Sequence, residues 1–411
     1  MVTRRTVLTQ GLQAGAALAL GGFAVRSLAQ QTPPSHADEM TINSAPHART
    51  GALLPATPMP AVLPKESQAV SGANSLQAHA GKHGLVAGTA VVVRALQHDP
   101  AMQQLIAEQY GVVVPGNELK WVALRPAQDQ FNFTDSDALF EFAKTHHLLV
   151  RGHTLAWHNS VPEWLQKSPK ELDVRKLLVD HIHTVAGRYS GRVHSWDVLN
   201  EAILPADGRE DNLRKSFWFE RIGPDYIDLA FRTAHEADPH AKLTYNDYGV
   251  EYDNPDETAR RAAILWLLRG MQKRKVPLHA VGIQSHIKAG SPSTIGKGLA
   301  DYIESVREMG LEVYLTELDV NEDDLLFNDV AERDKEIAKT YRDFLTVALA
   351  NPAVKSVLTW GVSDRNTWLN EGPTHFRKQP NRPQRSLPFD EAYRPKETFF
   401  AMRDCFDARK A

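Results

Sequence analysis

The sequence predicts an α/β fold, a (β/α)8 TIM barrel that forms a single domain over residues 76–411. Short apolar runs alternate with amphipathic helical segments throughout this region, which is typical of parallel βαβ units. There are eight such runs, the number of strands that closes this type of barrel. An open doubly wound sheet is the alternative, but it would usually carry a glycine-rich phosphate loop, and GTAVVVRAL after the first run matches that loop poorly.

The predicted strands are apolar runs of strand length, and most of them end on a polar residue. In chain order they are LVAGTAVVV from Leu85, GVVVPGN to Asn117, LLVRGHT to Thr154, VHSWDVLN to Asn200, AKLTYN to Asn246, AVGIQSH to His286, EVYLTE to Glu317 and SVLTW to Trp360.

The segments between the runs have the apolar spacing of helices that pack one face on a sheet. They include SDALFEFAKTHH, VRKLLVDHIHTVAGRY, PDYIDLAFRTAHEA, ETARRAAILWLLRGMQKRK, LADYIESVREM and ERDKEIAKTYRDFLTVALA. Trp266 lies in an apolar part of the fourth segment, so we expect it in the core.

The N-terminus predicts an exported protein. Residues 1–29 combine Arg4 and Arg5 with a Gly/Ala/Leu stretch too short to span a bilayer and with the small residues Ser27 and Ala29. These features are typical of a cleaved export signal of the twin-arginine type. The alternative, an amphipathic N-terminal helix, would be weakened by its glycines. We therefore expect the mature protein in the periplasm or secreted from the cell.

Composition limits the partners of the remaining chain. Residues 30–75 are rich in Pro, Ala, Ser, Thr and His without helical or strand periodicity, which predicts a flexible tether. A net charge of −3 and the lack of a Lys/Arg-rich run argue against nucleic acid and against membrane association of the mature form. Cys405 is the single cysteine, so the core must provide the stability that disulfides cannot. We expect a monomer.

Polar residues at the strand ends predict the position of an active site. In barrels of this type the carboxyl ends of the strands form the floor of the site, whereas the preceding residues fill the core. Any one polar residue could simply meet solvent at a strand end. Seven of the eight runs nevertheless end this way, at Asn117, His153, Asn200 with Glu201, Asn246, Gln284 with His286, Glu317, and Trp360.

Two carboxylates indicate the chemistry. Glu201 follows the fourth strand and Glu317 the seventh, so a closed barrel directs both into one cleft. Facing carboxylates suit glycoside hydrolysis, in which one acid protonates the leaving oxygen and the other attacks the anomeric carbon. The parity of the fourth strand also places Asp197 on the same side as Glu201 but deeper, and a buried carboxylate needs a partner. Arg151 on the third strand is the predicted partner.

Aromatic residues and histidines near the strand ends allow two further interpretations. Flat indole faces stack on pyranose rings, and the residues in position to do so are Trp121, Trp157, Trp360 and Trp368. His181 and His183 have an H-x-H spacing that could suggest a metal-dependent hydrolase. They lie in a helical pattern, however, where residues two apart point in different directions, so we expect no metal.

At these residues the sequence resembles glycoside hydrolase family 10, the endo-1,4-β-xylanases. The resemblance extends from about Leu76 to the C-terminus and has the order and spacing of the family motifs. The matching motifs are NELKW (117–121), RGHTLAWH (151–158), WDVLNEA (196–202), YNDY (245–248), QSH (284–286), TELD (316–319) and WGVSDRNTW (360–368).

The resemblance implies a retaining double displacement that needs no cofactor. Glu201 would be the acid/base and Glu317 the nucleophile, with carboxyl groups roughly 5 to 5.5 Å apart. Asn200 would bind the sugar 2-hydroxyl, and His286 would orient the nucleophile. The remaining implied contacts to a xylan polysaccharide or oligosaccharide are Asn117, Lys120, His153, Trp157 and Gln284 on the glycone side and Trp360 and Trp368 as a stacking wall.

The chain departs from the family pattern at two positions. Gly116 stands where the family usually has Glu, and Ser160 stands where it usually has Gln. Both family residues contact the second glycone sugar, so we expect the hydrogen bonds that they supply to be missing or replaced by water. The alternative is that Glu118 or another loop residue replaces them. The departures leave open a β-1,4-glycanase or aryl-β-glycosidase of altered specificity. A non-catalytic sugar-binding barrel is the alternative from another functional class.

Overall fold

The computed structural model describes residues 69–371 and 378–410, which form a parallel β-barrel surrounded by helices. All strand pairings within the barrel are parallel. The strands are β1 (Val86–Val91), β2 (Val112–Pro115), β3 (Leu149–Trp157), β4 (Ser195–Asn200), β5 (Lys242–Asp247), β6 (Ala280–Ile283), β7 (His286–Lys288), β8 (Glu312–Asn321) and β9 (Val354–Thr359).

The strand order closes the barrel. The sheet runs β6-β5-β4-β3-β2-β1-β9-β8, and an additional pairing of β6 with β8 joins its two ends. Eight strands therefore form the closed ring, while the short β7 pairs only with the far end of β8. The predicted (β/α)8 barrel is confirmed, and the open doubly wound sheet is wrong.

Three of the predicted strands differ from the observed ones by more than two residues at one end. The sixth run is split into β6 and β7, because Ser285 between them has a left-handed backbone with φ of 65°. The third and seventh runs continue past their predicted ends, to Trp157 and Asn321. Both continuations are buried up to their last residues, Trp157 and Asn321, which are half-buried. Their backbone pairs with a neighbouring strand, so pairing rather than local sequence sets these strand ends.

Six of the described helices begin at a residue whose side chain caps the first turn. Asn254 and Asp99 each accept a hydrogen bond from the first turn of the helix that follows, and each is followed by Pro at the first helical position. The helices are α1 (Leu76–Gly81), α2 (Val93–His98), α3 (Pro100–Gln109), α4 (Trp121–Leu124), α5 (Thr134–Thr145), α6 (Glu163–Gln166), α7 (Val174–Arg188), α8 (Phe217–Ile222), α9 (Tyr226–Ala237), α10 (Pro255–Lys273), α11 (Lys297–Glu308), α12 (Val330–Leu349) and α13 (Glu397–Ala408).

The barrel wall separates two sets of apolar side chains. Val113 of β2 belongs to the large core, whereas its neighbours Val112 and Val114 belong to a smaller cluster with Trp360 packed against it. Side chains of a strand alternate between the two faces of a sheet, so this division follows from the pleat. At Gly152 a side chain is excluded, because a Cβ atom would lie 2.1 Å from the ring of Trp196.

The prediction for Trp266 is wrong. It is 61% exposed on α10, whereas the buried face of that helix includes Ala263, Ile264, Leu267 and Leu268. The segment AAILWLL is apolar all the way around the helix. Its pattern therefore could not show which side faces the barrel.

The predicted pairing of Arg151 with Asp197 is confirmed. Both side chains are buried, and Arg151 Nη2 donates to Asp197 Oδ1. Arg151 Nη1 also donates to Ser195 Oγ at 2.9 Å, while His153 Nδ1 lies 2.9 Å from Asp197 Oδ2. Asp197 thus joins β3 and β4 immediately below the strand ends.

The predicted export signal and most of the predicted tether lie outside the described residues. The described chain starts at Ala69, and its first residues already contact the barrel, since Gln109 Nε2 donates to Val70 O at 2.7 Å. Within residues 69–371 and 378–410, no helix is both long enough and apolar enough to cross a bilayer.

Replacing Arg151 with Met is expected to lower the free energy of unfolding by about 3 to 5 kcal/mol, because it leaves the buried charge of Asp197 without its main partner. Arg188→Met is the matched control, since Arg188 pairs with Asp137 on the surface and such pairs contribute about 0 to 1 kcal/mol. Urea denaturation followed by circular dichroism measures both losses. Equal losses in the two variants would contradict the structural role of the buried pair.

Candidate active site

The site residues that the family resemblance implies all line one cleft at the carboxyl ends of the barrel strands. The cleft has a volume of about 530 Å³. Closure of the barrel therefore brings together side chains that lie far apart in the sequence. The lining includes every residue to which the resemblance assigns a role: Asn117, Lys120, His153, Trp157, Asn200, Glu201, Gln284, His286, Glu317, Trp360 and Trp368.

Glu201 occupies an unusual backbone position directly after β4. Its φ is 59°, in the left-handed region that non-glycine residues seldom adopt. Two hydrogen bonds hold it there: Glu201 N donates to Asn246 O at 2.9 Å, and Arg214 Nε donates to Glu201 O at 2.8 Å. The neighbouring elements thus compensate for the strain and turn the carboxylate into the cleft.

The carboxylate of Glu201 is surrounded by neutral donors. Trp157 Nε1 donates to Oε2 at 2.8 Å, while Gln284 Nε2 and Asn200 Nδ2 donate to Oε1 at 2.8 Å and 3.2 Å. His158 Nδ1 lies 3.7 Å from Oε2, but burial lowers the pKa of His158 to about 4, so at neutral pH its ring carries no charge.

Glu317 has an ionic environment instead. His286 Nε2 lies 3.1 Å from Glu317 Oε2, and Asn246 Nδ2 donates to Oε1 at 2.8 Å. Burial by itself would raise the pKa of Glu317, but the hydrogen bond from His286, the charges on His153 and His286 and the bond from Asn246 bring it below its usual value. Glu317 is therefore ionised at neutral pH.

Asp319 maintains the charge on His286. Its Oδ1 lies 2.8 Å from His286 Nδ1, so the imidazole is held between two carboxylates. Burial alone would lower the pKa of His286, whereas the charge and hydrogen bonds of Asp319 and Glu317 raise it well above its usual value. The result is an imidazolium ion paired with the ionised Glu317.

Amide side chains connect the two carboxylates. Asn246 Nδ2 donates both to Glu317 Oε1 at 2.8 Å and to Asn200 Oδ1 at 2.9 Å, and Asn200 in turn donates to Glu201. Asn246 fits because its neighbour on β6 is Gly282, where a Cβ atom would lie 2.0 Å from Asn246 Oδ1.

Two tryptophans line the cleft next to the rings of His286 and His153. Trp368 Nε1 donates to Asp319 Oδ2 at 2.6 Å, and its ring meets that of His286 edge-on at 5.3 Å. The ring of Trp360 is nearly perpendicular to that of His153, with 5.4 Å between centroids. Both indoles are half-buried, so part of each remains open to the cleft.

At another part of the cleft, Lys120 contacts two predicted sugar-binding residues. Its Nζ donates to Asn117 Oδ1 at 3.1 Å and lies 5.0 Å from the centre of the Trp157 ring. Burial lowers the pKa of Lys120, although Glu317, Glu118 and Glu201 oppose that change. Glu118 itself is buried and accepts backbone hydrogen bonds from Val93 and Asn117 at 2.7 and 3.0 Å.

Because both oxygens of Glu118 are occupied and Glu118 does not line the cleft, it does not compensate for the short side chains at Gly116 and Ser160. Those two residues do line the cleft.

The sugar-stacking interpretation of Trp121 is wrong. Trp121 is 1% exposed, its Nε1 donates to Leu155 O at 2.7 Å, and its ring stacks on His181 at 3.6 Å. Helix α4 begins at Trp121 and directs the ring into the core.

The two histidines of the H-x-H spacing have separate environments. His181 is buried against Trp121, and burial lowers its pKa well below the usual value. His183 is instead partly exposed, with Nε2 3.7 Å from Glu236 Oε2. Among residues 69–371 and 378–410, no three His, Cys, Asp or Glu side chains are grouped so that they could hold a metal ion.

Three further residues contribute to the site beyond those predicted for it. Asp319 could have been identified, because it has the same strand parity as Glu317. Asn246 was recognised as a strand-end residue, but its bonds to both neighbours depend on the register. Arg214 lies in a loop between β4 and α8, and no sequence pattern indicates its contact with Glu201.

Comparison with known proteins identifies the family. Residues 75–405 match the sequence profile of "Glycosyl hydrolase family 10". The chain belongs to glycosyl hydrolase family 10. It is thus a glycoside hydrolase, and its barrel agrees with the solved structures of family members.

Curated relatives of this family 10 member match about three quarters of the chain. It is 33% identical to endo-1,4-beta-xylanase B of Thermotoga neapolitana, over 74% of this chain and 83% of that protein. It is 34% identical to endo-1,4-beta-xylanase B of Paenibacillus barcinonensis, over 76% of this chain and 93% of that protein. Among solved structures, xylanase 10B from Thermotoga petrophila RKU-1 in complex with xylobiose superposes with a TM-score of 0.71 at 31% identity, over 81% of this chain and 97% of that chain.

Replacing His286 with Gln is expected to move the acidic limb of the pH profile of kcat/KM upward by about one to three units. Gln can still donate a hydrogen bond to Glu317, but it removes the positive charge that keeps the pKa of Glu317 low. The depressed pKa keeps Glu317 ionised as pH falls, and the variant loses that protection. His98→Gln is the control, because His98 is exposed and its one bond to another described residue is to Arg94 O. An unchanged acidic limb in His286→Gln would refute this role.

Proposed function

We propose that the chain is a retaining endo-1,4-β-xylanase, which hydrolyses β-1,4-xylosidic bonds within xylan. The observation that carries the proposal is the contrast between two carboxylates in one cleft. Glu317 is paired with an imidazolium ion, whereas the donors to Glu201 are neutral. Such a difference in environment suits Glu317 as a nucleophile that is ionised at neutral pH and Glu201 as a group that gains and loses a proton during the reaction. Membership of family 10 and the names of the relatives support the substrate.

The reaction takes two displacements. In the first, Glu317 attacks the anomeric carbon while Glu201 protonates the departing glycosidic oxygen, so the C–O bond breaks and a glycosyl ester forms on Glu317. In the second, Glu201 removes a proton from a water molecule that attacks the same carbon and releases Glu317. Both steps need carboxyl groups roughly 5 to 5.5 Å apart, a separation that we predict for this cleft.

Gln284 suits the proton cycle of Glu201. Its Nε2 donates to the carboxylate of Glu201, while its Oε1 is buried and accepts no hydrogen bond from the residues that the structure describes. Rotation of the amide by 180° would exchange these two atoms and offer the acceptor to a protonated Glu201. Gln284 can therefore stabilise both states of the acid/base.

The remaining cleft residues are proposed to bind the polymer. Asn200 would donate to the 2-hydroxyl of the sugar attached to Glu317. The glycone side would be formed by Asn117, Lys120, His153, Trp157 and Gln284, and the stacking wall by Trp360 and Trp368. On the basis of its first 29 residues, we further propose that the protein is exported by the twin-arginine route. We also propose that it is a monomer.

Release of reducing sugar from xylan compared with cellulose tests the function. A xylanase releases reducing ends from xylan and little from cellulose. Comparable activity on both polymers would indicate a β-1,4-glycanase of broader specificity. Activity on aryl glycosides alone would indicate an aryl-β-glycosidase, and inactivity on all of them together with binding of xylan would indicate a non-catalytic sugar-binding barrel.

Replacing Glu201 with Ala is expected to slow hydrolysis of xylan far more than hydrolysis of aryl glycosides with good leaving groups, because only the poor leaving group needs a proton. Azide should restore turnover of the activated substrate, since it attacks the glycosyl ester without general-base assistance. Initial rates on both substrates with and without azide measure the effect. Equal losses on the two substrates would contradict the assignment of Glu201 as acid/base.

The double variant Gly116→Glu with Ser160→Gln is expected to increase kcat/KM on aryl xylobiosides by about tenfold to a hundredfold. Each new hydrogen bond to the second glycone sugar contributes roughly 0.5 to 1.5 kcal/mol, and remote binding energy is expressed in the transition state. A side chain fits at Gly116, because its Cβ would lie 3.5 Å from the nearest atom, Val91 O. Aryl xylosides, which lack that sugar, are the internal control. A double variant with no gain on the longer substrate would show that this subsite is not weakened.

A further inference from the structure

The loop between β5 and α10 contains a buried carboxylate that takes no part in the proposed mechanism. Glu251 is only 3% exposed, and both of its oxygens accept backbone hydrogen bonds. Oε1 accepts from Ser285 N at 2.9 Å, and Oε2 accepts from Val250 N at 2.7 Å. A carboxylate buried in this way is costly unless its bonds are needed for structure or function.

The bond to Ser285 acts at the break between β6 and β7. Ser285 is fully buried and has a φ of 65°, a conformation that is unfavourable for residues other than glycine. Such a conformation persists only where surrounding contacts hold it. The next residue in the chain is His286, so the direction of the backbone at Ser285 determines where the imidazole begins.

The same loop also holds the other end of β7. Lys288 N donates to Tyr252 Oη at 2.6 Å, and Tyr252 Oη lies 3.2 Å from Lys288 O. Glu251 and Tyr252 therefore contact the segment on both sides of His286. Two residues outside this loop and β7 fix the imidazole ring of His286: Asp319 bonds its Nδ1, and the ring of Trp368 contacts it edge-on.

Electrostatics link Glu251 to the same histidine. Burial raises the pKa of Glu251, and its backbone donors together with the positive charge of His286 oppose that rise. Other ionisable groups also face this region. Glu257 and Tyr302 interact with Glu251, Asp319 and Glu317 contact His286, and the charges of His153 and Lys120 act on Glu317.

We propose that Glu251 is a positioning residue for the hydrolytic reaction: it holds Ser285 in the left-handed conformation and thereby directs His286 Nε2 at the nucleophile Glu317. The proposal deepens the proposed function and rests on it, because it takes Glu317 as the nucleophile. Glu251 lies outside the cleft lining and acts only through Ser285 and His286.

Replacing Glu251 with Gln tests the proposal. Both oxygens of Glu251 accept backbone N–H groups, and the amide of Gln would direct its own N–H groups at one of them. Displacement of His286 is expected to reduce kcat on an aryl β-xylobioside by roughly 10- to 100-fold with a much smaller change in KM. The acidic limb of kcat/KM should move to higher pH, because a misdirected imidazolium no longer keeps Glu317 ionised.

Glu257→Gln is the matched control. Glu257 lines the same small cavity as Glu251, and burial followed by the charge of Glu251 raises its pKa to about 7. Its carboxylate accepts from Tyr252 N and Asn254 Nδ2 and does not contact Ser285. This variant should retain the pH profile of the wild type, and a folded Glu251→Gln protein with that same profile would overturn the proposal.

A second variant covers the case in which Glu251→Gln does not fold. Tyr252→Phe retains Glu251 but removes the hydroxyl that contacts Lys288, so we expect a smaller shift of the acidic limb in the same direction. If Glu251→Gln is unfolded and Tyr252→Phe retains the wild-type profile, the proposal is wrong. Circular dichroism of each variant identifies which case applies.

Trapping with 2-deoxy-2-fluoro glycosides separates this inference from the proposed function. If the wild-type enzyme does not hydrolyse xylan but a fluoroglucoside labels Glu317, the proposed substrate is wrong. The pH dependence of the labelling rate can then still be compared between Glu251→Gln and Glu257→Gln. If the wild-type enzyme is labelled at another residue, or at none, both the assignment of Glu317 as nucleophile and the role of Glu251 as its positioning residue are wrong.

Discussion

The pairing of β6 with β8 is the constraint on which the site depends, because it closes the barrel. After closure, only β5 and β6 separate the strand before Glu201 from the strand that carries Glu317. The register aligns Asn200 with Asn246 and Asn246 with Gly282, so amides from adjacent strands reach both carboxylates. In an open sheet the ends would not meet, and this chain of hydrogen bonds could not form.

The chemistry depends on a difference in charge between two similar residues. Both glutamates are buried at strand ends, but among the described residues only the carboxylate of Glu317 is in hydrogen-bond contact with a cation, since Arg214 bonds the backbone oxygen of Glu201. Asp319 is responsible for that cation, because its charge keeps His286 protonated in a buried site where the neutral ring would otherwise be favoured. Glu201 has amide and indole donors, which fix its position without adding a positive charge.

Backbone strain marks the two places where the strands turn into the cleft. Glu201 and Ser285 both have positive φ; Glu201 is the proposed acid/base, and Ser285 directly precedes His286. Each is held by a bond from a loop or strand next to it, Arg214 and Asn246 for Glu201 and Glu251 for Ser285. Precise direction of the carboxylate and the imidazole therefore depends on residues that do not face the substrate.

The sequence by itself determined the barrel, the family and the cleft residues, because strand periodicity and polar strand ends are local patterns that this fold uses in a fixed way. The alternation of side chains along β4 also predicted the buried pair of Arg151 and Asp197. Tertiary structure decided what depends on packing between distant segments. The apolar surroundings of Trp266 and Trp121 could not show which ring is exposed and which is buried, and no local pattern indicates that Glu251 reaches Ser285 across the loop. Those contacts depend on register and loop conformation, which the complete fold sets.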